Sequence, residues 1–347
     1  MASRRSTMGR KRGSGWGRTL AAVMILLLLA AGAAAAFVAL APFGPQKETF
    51  VEILPGSSTI RIGRQLQEAG VVRSQYAFDA MRWVRHGTLK AGDYRFDHPE
   101  PVNQVYDQIR RGDVYTIAVT VPEGSSMFDI ATRLEQAGFG PAKQFLNVAR
   151  QEAGLVADLD PQAKSLEGYL FPDTYRIGPK EDLPQIAAMM VKRFRQAATR
   201  IGLTQDFHSV VTLASLVERE TAIDGERPMV ASVFANRLEK QMPLDTDPAV
   251  IYGLQVQGQW RGAIYASDLT RDTPYNTYLH AGLPPGPIAN PGIKALHAAM
   301  NPAQTDYLYF VAAGDNPQGK SVFASTIEEH NKNVAAYRDA RKKAGQP

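Results

Sequence analysis

Two glutamates, Glu218 and Glu220, close an apolar run from Asp206 to Thr221 that reads as one largely buried helix. At about 100° per residue, Phe207, Val211 and Ala214 share the Glu218 side of such a helix. Glu220 points about 200° away, towards Asp206 and Ser209, although Leu213 and Leu216 lie on that side too. Glu218 therefore has the more apolar neighbours. Withdrawal from water raises a carboxyl's pKa, which suits a general acid that must keep its proton near neutrality. The same position also fits a core glutamate bridged to an arginine or capping a neighbouring helix.

Other polar groups are suited to sugar. Leu166–Tyr175 carries Glu167, Tyr169, Asp173 and Tyr175, and Met242–Pro248 carries Asp245 and Asp247. Tyr275 and Asn276, then Asn290, lie in stretches stiffened by proline. Aromatic rings cover the C–H faces of pyranoses, and amides bridge hydroxyls and N-acetyl groups. Each segment also has a plain reading as turns and caps. The six histidines show no His-x-x-x-His spacing, and there is no phosphate-binding Gly-Lys-Ser loop or Gly-x-Ser-x-Gly elbow. With no cysteine there is no thiol nucleophile or thiolate metal site. No metal and no cofactor is expected.

The elements that must position these groups are legible from periodicity. Helices are expected over 142–152, 183–201, 206–221 and 227–239, then an irregular stretch over 241–291. Near the end, 307–311 reads as a strand, and Thr326 with Glu329 forms a capping box opening a charged helix. Upstream, Pro55–Gly70 aligns with Glu123–Gly138 at a constant offset. Gly56, Ser57, Ser58, Ile62, Leu66, Ala69 and Gly70 recur as Gly124, Ser125, Ser126, Ile130, Leu134, Ala137 and Gly138. Each copy reads as strand, Gly-Ser-Ser at a helix N-cap, then a short helix stopped by glycine. Such a unit grips a polymer, positions a partner domain or serves as a spacer.

The first eighteen residues hold six basic side chains and no acid, and 20–41 is almost wholly apolar. A bilayer core needs about 20 such residues. The basic flank is expected to stay cytoplasmic, with the remaining chain outside a plasma (inner) membrane. A cleaved signal peptide is the competing reading, disfavoured because the apolar run exceeds the usual leader core. The net charge of +5 resides in that flank, so the rest of the chain carries no nucleic-acid footprint.

Taken in order, LEGYLFPDTY (166–175), ASLVERET (214–221), VFANRL (233–238), PYNTY (274–278), GLPPGPIANPG (282–292) and YLYFVA (307–312) resemble the YceG-like family of membrane-anchored endolytic murein transglycosylases. The resemblance implies an α+β fold in four parts: a cytoplasmic tail (1–18), a single transmembrane helix (19–41), a LysM-like duplicated region (48–140) and a catalytic domain (141–345). It implies Glu218, the first glutamate of ASLVERET, as the catalytic residue. Glu167, Tyr169, Asp173, Tyr175, Asn236, Asp245, Tyr275, Asn276 and Asn290 are candidates for the substrate cleft only. The implied reaction cuts the MurNAc–GlcNAc bond of nascent peptidoglycan strands, leaves 1,6-anhydro ends and terminates elongation. The expected partners are glycan strands and, through the anchor, penicillin-binding synthases or the division machinery. Alternatives are a muramidase-type hydrolase using Asp245 or Asp247 opposite Glu218, and a non-catalytic peptidoglycan-binding scaffold.

Overall fold

The computed structural model describes residues 15–313 and 320–343. Most of the expected basic tail lies outside them. The chain divides into two units at Thr116/Ile117.

The first unit opens with α1 (Gly15–Leu40), whose stretch Arg18–Leu40 is long and apolar enough to cross a membrane. There follow β1 (Thr49–Ile53), α2 (Thr59–Glu68), α3 (Gln75–Arg85), β2 (Gly92–Phe96) and α4 (Val102–Arg111). β1 and β2 pair antiparallel, Val51 opposite Tyr94. Ile53, Ile62, Leu66, Phe78, Tyr94, Tyr106 and Ile109 form the core beneath them.

The second unit begins with β3 (Ile117–Thr120), α5 (Met127–Gln136), α6 (Ala142–Gln151) and β4 (Thr174–Ile177). β3 and β4 are again antiparallel. The duplicated sequence thus builds strand, helix, helix, strand twice. Ser58 caps α2 by accepting from Arg61 N, and Ser126 caps α5 by accepting from Asp129 N. Gly56 and Gly124 adopt matching left-handed conformations, φ 76° and 74°, where a side chain would be strained. The sequence places the junction near residue 140, where composition shifts, but the second copy shares its core with the helices downstream of it. Ile130 and Leu134 of α5 pack in one cluster with Phe145, Phe194, Val211 and Leu216.

That cluster is completed by α7 (Leu183–Ile201), α8 (Phe207–Glu220), α9 (Arg227–Glu239), α10 (Asp247–Val256), the short α11 (Ala266–Leu269) and α12 (Ile293–Met300). The hairpin of β5 (Tyr309–Ala312) and β6 (Ser321–Ala324) and the terminal α13 (Ile327–Lys343) complete the chain. The stretch expected to be irregular contains α10 and α11. Pro248 sits in the first turn of α10, where proline starts a helix rather than breaking one. α8 is enclosed on all sides, since every residue from Val211 to Val217 is buried.

Candidate active site

The last turn of α8 sends its two glutamates to different surroundings. Glu218 does not sit in an apolar setting. Its Oε1 accepts from Arg227 Nη2 at 2.7 Å, and its Oε2 accepts from Gly292 N at 2.9 Å. Glu218 and Arg227 side chains are each 5 % exposed. Gly292 is the N-cap of α12, so the partial positive charge of that helix end also faces the carboxylate. This corrects the expectation of apolar surroundings for Glu218: the arginine-bridged alternative is the one observed.

Around that pair lies a shell of charge. Arg227 also bonds Asp224, which in turn bonds Lys294. Glu123, 47 % exposed, approaches Arg227 Nη2 at 3.9 Å. Burial, then the charge of Glu218, raises the Glu123 carboxyl above its ordinary value. Glu123 packs so closely on Gly292 that a Cβ there would lie 2.0 Å from its Oε1.

Glu220 faces a pocket of about 420 Å³ lined by Arg237, Asp245, Asp247, Tyr278, Tyr309, Phe310 and His330, among others. Among the described residues none of the ion pairs includes Glu220, whereas Asp245 is held by Arg237 at 2.9 Å and Asp247 accepts from the Tyr278 hydroxyl at 2.8 Å. Burial raises the Glu220 carboxyl above the ordinary carboxylate range. Asp247 adds to the rise, while the Thr246 hydroxyl, Arg219 and Arg237 oppose it. The Tyr309 ring carries Arg237 at 5.2 Å and stacks on the His330 ring at 5.1 Å, and burial pushes His330 down, favouring the neutral imidazole. Asp245 holds φ at 52°, a strained conformation for a side-chain-bearing residue and one that recurs at binding sites. The pocket combines a carboxyl raised in pKa by burial, aromatic faces and fixed hydrogen-bonding groups.

Of the nine cleft candidates, Asp245 alone lines this pocket. Glu167 is buried and accepts from Met127 N at 2.9 Å and Asn290 Nδ2 at 2.7 Å; burial pushes its carboxyl up to about 8, against the pull of Met127 N and the Tyr252 hydroxyl. Asn290 is also buried and ties Ser125 O and Leu170 N together. Tyr169 donates to Asp160 at 2.7 Å inside the core, Tyr175 donates to Phe171 O, and Asp173 pairs with Arg193 at 2.6 Å. Asn236 donates to Thr305 O and Tyr307 O, and buried Asn276 donates to Leu269 O and Arg271 O, each a backbone brace. Tyr275 is half-buried, edge-on to Tyr252 at 4.9 Å. Asp247, weighed as a rival's second carboxylate, lies in the pocket with Glu220 and not across from Glu218. Glu220, Arg237, Tyr278, Tyr309 and His330 were not legible as a group in the sequence, because they converge from four elements and a turn. The available signal was the short spacing of Asp245 and Asp247 just ahead of a helix.

An α+β unit that presents, in an aromatic-lined pocket, a carboxyl outside the ion pairs and raised in pKa by burial has the equipment for acid–base chemistry on a polar substrate. The model of the YceG-like family matches residues 51–336, and the chain belongs to that family. It is 34% identical over 321 residues to an endolytic murein transglycosylase of Bacillus subtilis, covering 86% of this chain and 88% of that protein. An endolytic murein transglycosylase of Streptococcus pneumoniae is 30% identical over 325 residues, covering 84% of this chain and 59% of that protein. A crystal structure of a yceG-like protein from Listeria monocytogenes superposes with a TM-score of 0.54 at 33% identity, over 83% of this chain and 99% of that chain.

Proposed function

We propose that this protein is an endolytic lytic transglycosylase of peptidoglycan, and that Glu220 rather than Glu218 is its general acid–base. The observation that carries the assignment is the placement of Glu220 on a sugar-sized pocket without an ion pair, while Glu218 is bound on both oxygens. The substrate class rests on the relatives' shared activity.

In this reading the Glu220 carboxyl donates its proton to the glycosidic oxygen between N-acetylmuramic acid and N-acetylglucosamine as the C1–O bond breaks. The substrate's acetamido group supports the positive charge at C1, so no protein nucleophile is needed. The Glu220 carboxylate then takes the proton of the muramic acid 6-hydroxyl while that oxygen bonds C1. The products are a 1,6-anhydro end and a free 4-hydroxyl, with no water consumed. The hydrolytic alternative needs a second free carboxylate, and Asp245 and Asp247 are committed to Arg237 and Tyr278.

Retention of α1 as an anchor, with the N-terminus cytoplasmic, restricts the enzyme to glycan near the membrane. That fits termination of nascent strands beside penicillin-binding synthases or the division machinery. The strand–helix–helix–strand unit of 49–96 fits the LysM-like reading. Glycan strands digested by wild type, Glu218→Gln and Glu220→Gln, with products weighed by mass spectrometry, test the assignment. Loss of more than about 100-fold in turnover is expected for Glu220→Gln. A fully active, folded Glu220→Gln protein would refute it.

A further inference from the structure

Helix α3 is apolar on two sides. Phe78 is buried, and Ala77 and Met81 pack against the core of the first unit. On the other side Tyr76, Ala80, Trp83 and Val84 fall at i, i+4, i+7 and i+8, one stripe of a helix. Tyr76 is 77 % exposed, Trp83 80 % and Val84 67 %. Single exposed apolar side chains are ordinary, but a contiguous stripe bearing Trp and Tyr marks a contact surface.

Two observations say what covers it. The first is position. α1 packs against α3 and α4. Arg73, the residue before the Ser74 cap of α3, sets its guanidinium 5.2 Å from the Phe37 ring and 4.9 Å from the Phe43 ring. Phe37 belongs to the last turn of the apolar helix, so α3 starts level with the end of that helix. The second is charge. From Arg73 to Lys90 the chain holds Arg73, Arg82, Arg85 and Lys90 against a single acid, Asp79. Basic side chains flanking an exposed Trp/Tyr stripe match anionic headgroups over acyl chains.

We infer that the outer face of α3 lies in the headgroup layer of the membrane that α1 crosses, so that the first unit is held flat on the bilayer rather than hanging from a tether. The inference rests on the anchor reading of α1, and its test separates the two. Three tryptophans, Trp16, Trp83 and Trp260, make single-indole versions of the full chain practical. One keeps Trp83 (Trp16→Phe, Trp260→Phe) and one keeps Trp16 (Trp83→Phe, Trp260→Phe). Each is reconstituted into phosphatidylcholine vesicles containing phosphatidylglycerol, with or without bromines near the glycerol end of the acyl chains. Trp83 is expected to lose about half of its emission or more in brominated vesicles, the depth of an interfacial indole. Adding Tyr76→Asp and Val84→Asp is expected to cut that loss at least about twofold. Quenching of Trp16 without quenching of Trp83 overturns the docking while leaving the anchor intact. Trp83 shielded from aqueous acrylamide but untouched by bromine overturns it in favour of a second protein copy. Failure of both indoles to quench overturns the anchor and the docking together.

Discussion

Glu218→Gln separates a structural glutamate from a catalytic one. The substitution keeps the shape of the side chain but removes the charge facing Arg227 at 2.7 Å, with both partners 5 % exposed. Arg227 would retain Asp224, whose side chain is 52 % exposed and therefore screened, and Glu123 at 3.9 Å. Breaking a buried pair from one side costs about 3–5 kcal/mol, because the surviving charge stays desolvated. The amide oxygen still accepts from Arg227, so the lower end, about 3 kcal/mol, applies here. For a unit of this size each kcal/mol lowers Tm by about 2–4 °C, giving a drop of roughly 6–12 °C. Differential scanning calorimetry of the wild type and Glu218→Gln reads that shift, and glycan turnover below the transition reads the chemistry. Turnover by the folded variant is expected to stay within about tenfold of wild type, because on the proposed assignment Glu220, not Glu218, is the proton donor. An unchanged Tm together with a loss of more than about 100-fold would refute the reasoning and return the acid to Glu218.

Neighbouring groups carry further expectations. Gly292 has ordinary backbone angles, φ −76° and ψ 173°, and an alanine Cβ there would collide first with the Glu123 side chain. Gly292→Ala should push Glu123 into solvent and bring its raised pKa down towards the ordinary value, read by NMR titration of that carboxyl. Glu167 holds its proton up to about pH 8 in the folded protein and loses it near 4.5 when unfolded. Its contribution is therefore fully present below about pH 4.5 and is lost as pH climbs towards 8. Tm against pH should fall less steeply over that window in Glu167→Gln; identical slopes would contradict the assignment. On the proposed assignment Glu220 acts in its protonated form, so kcat/KM should decline as pH rises through a pKa above the usual carboxylate range, and Asp247→Asn should move that decline to lower pH.

The architecture was largely written in local pattern. The helices at 183–201 and 227–239 coincide with their expected bounds, because their apolar periods are strong. The hairpin partner at 321–324 and the strand at 174–177 were not read, since four residues carry too little periodicity. The duplication revealed the fold of both copies but hid that they belong to different units. The site was less legible for a definite reason. A helix buried all round, as α8 is from Val211 to Val217, gives no apolar side from which to judge its two terminal glutamates. Their surroundings are decided by Arg227 and Gly292 on one side and Arg237, Asp245 and Tyr278 on the other, brought there by tertiary packing. Glu167, Asn276 and Asn290 are buried and brace loops, a use of amides and acids that sequence alone does not separate from glycan binding.

Products from uncrosslinked peptidoglycan strands incubated with wild type and with Glu220→Gln put the central claim to the most direct test. Wild type should yield fragments ending in 1,6-anhydro-muramic acid, with no mass of water gained, and Glu220→Gln should yield none above background while melting like the wild type. Anhydro products from Glu220→Gln at the normal rate, or hydrated reducing ends from the wild type, would contradict the account.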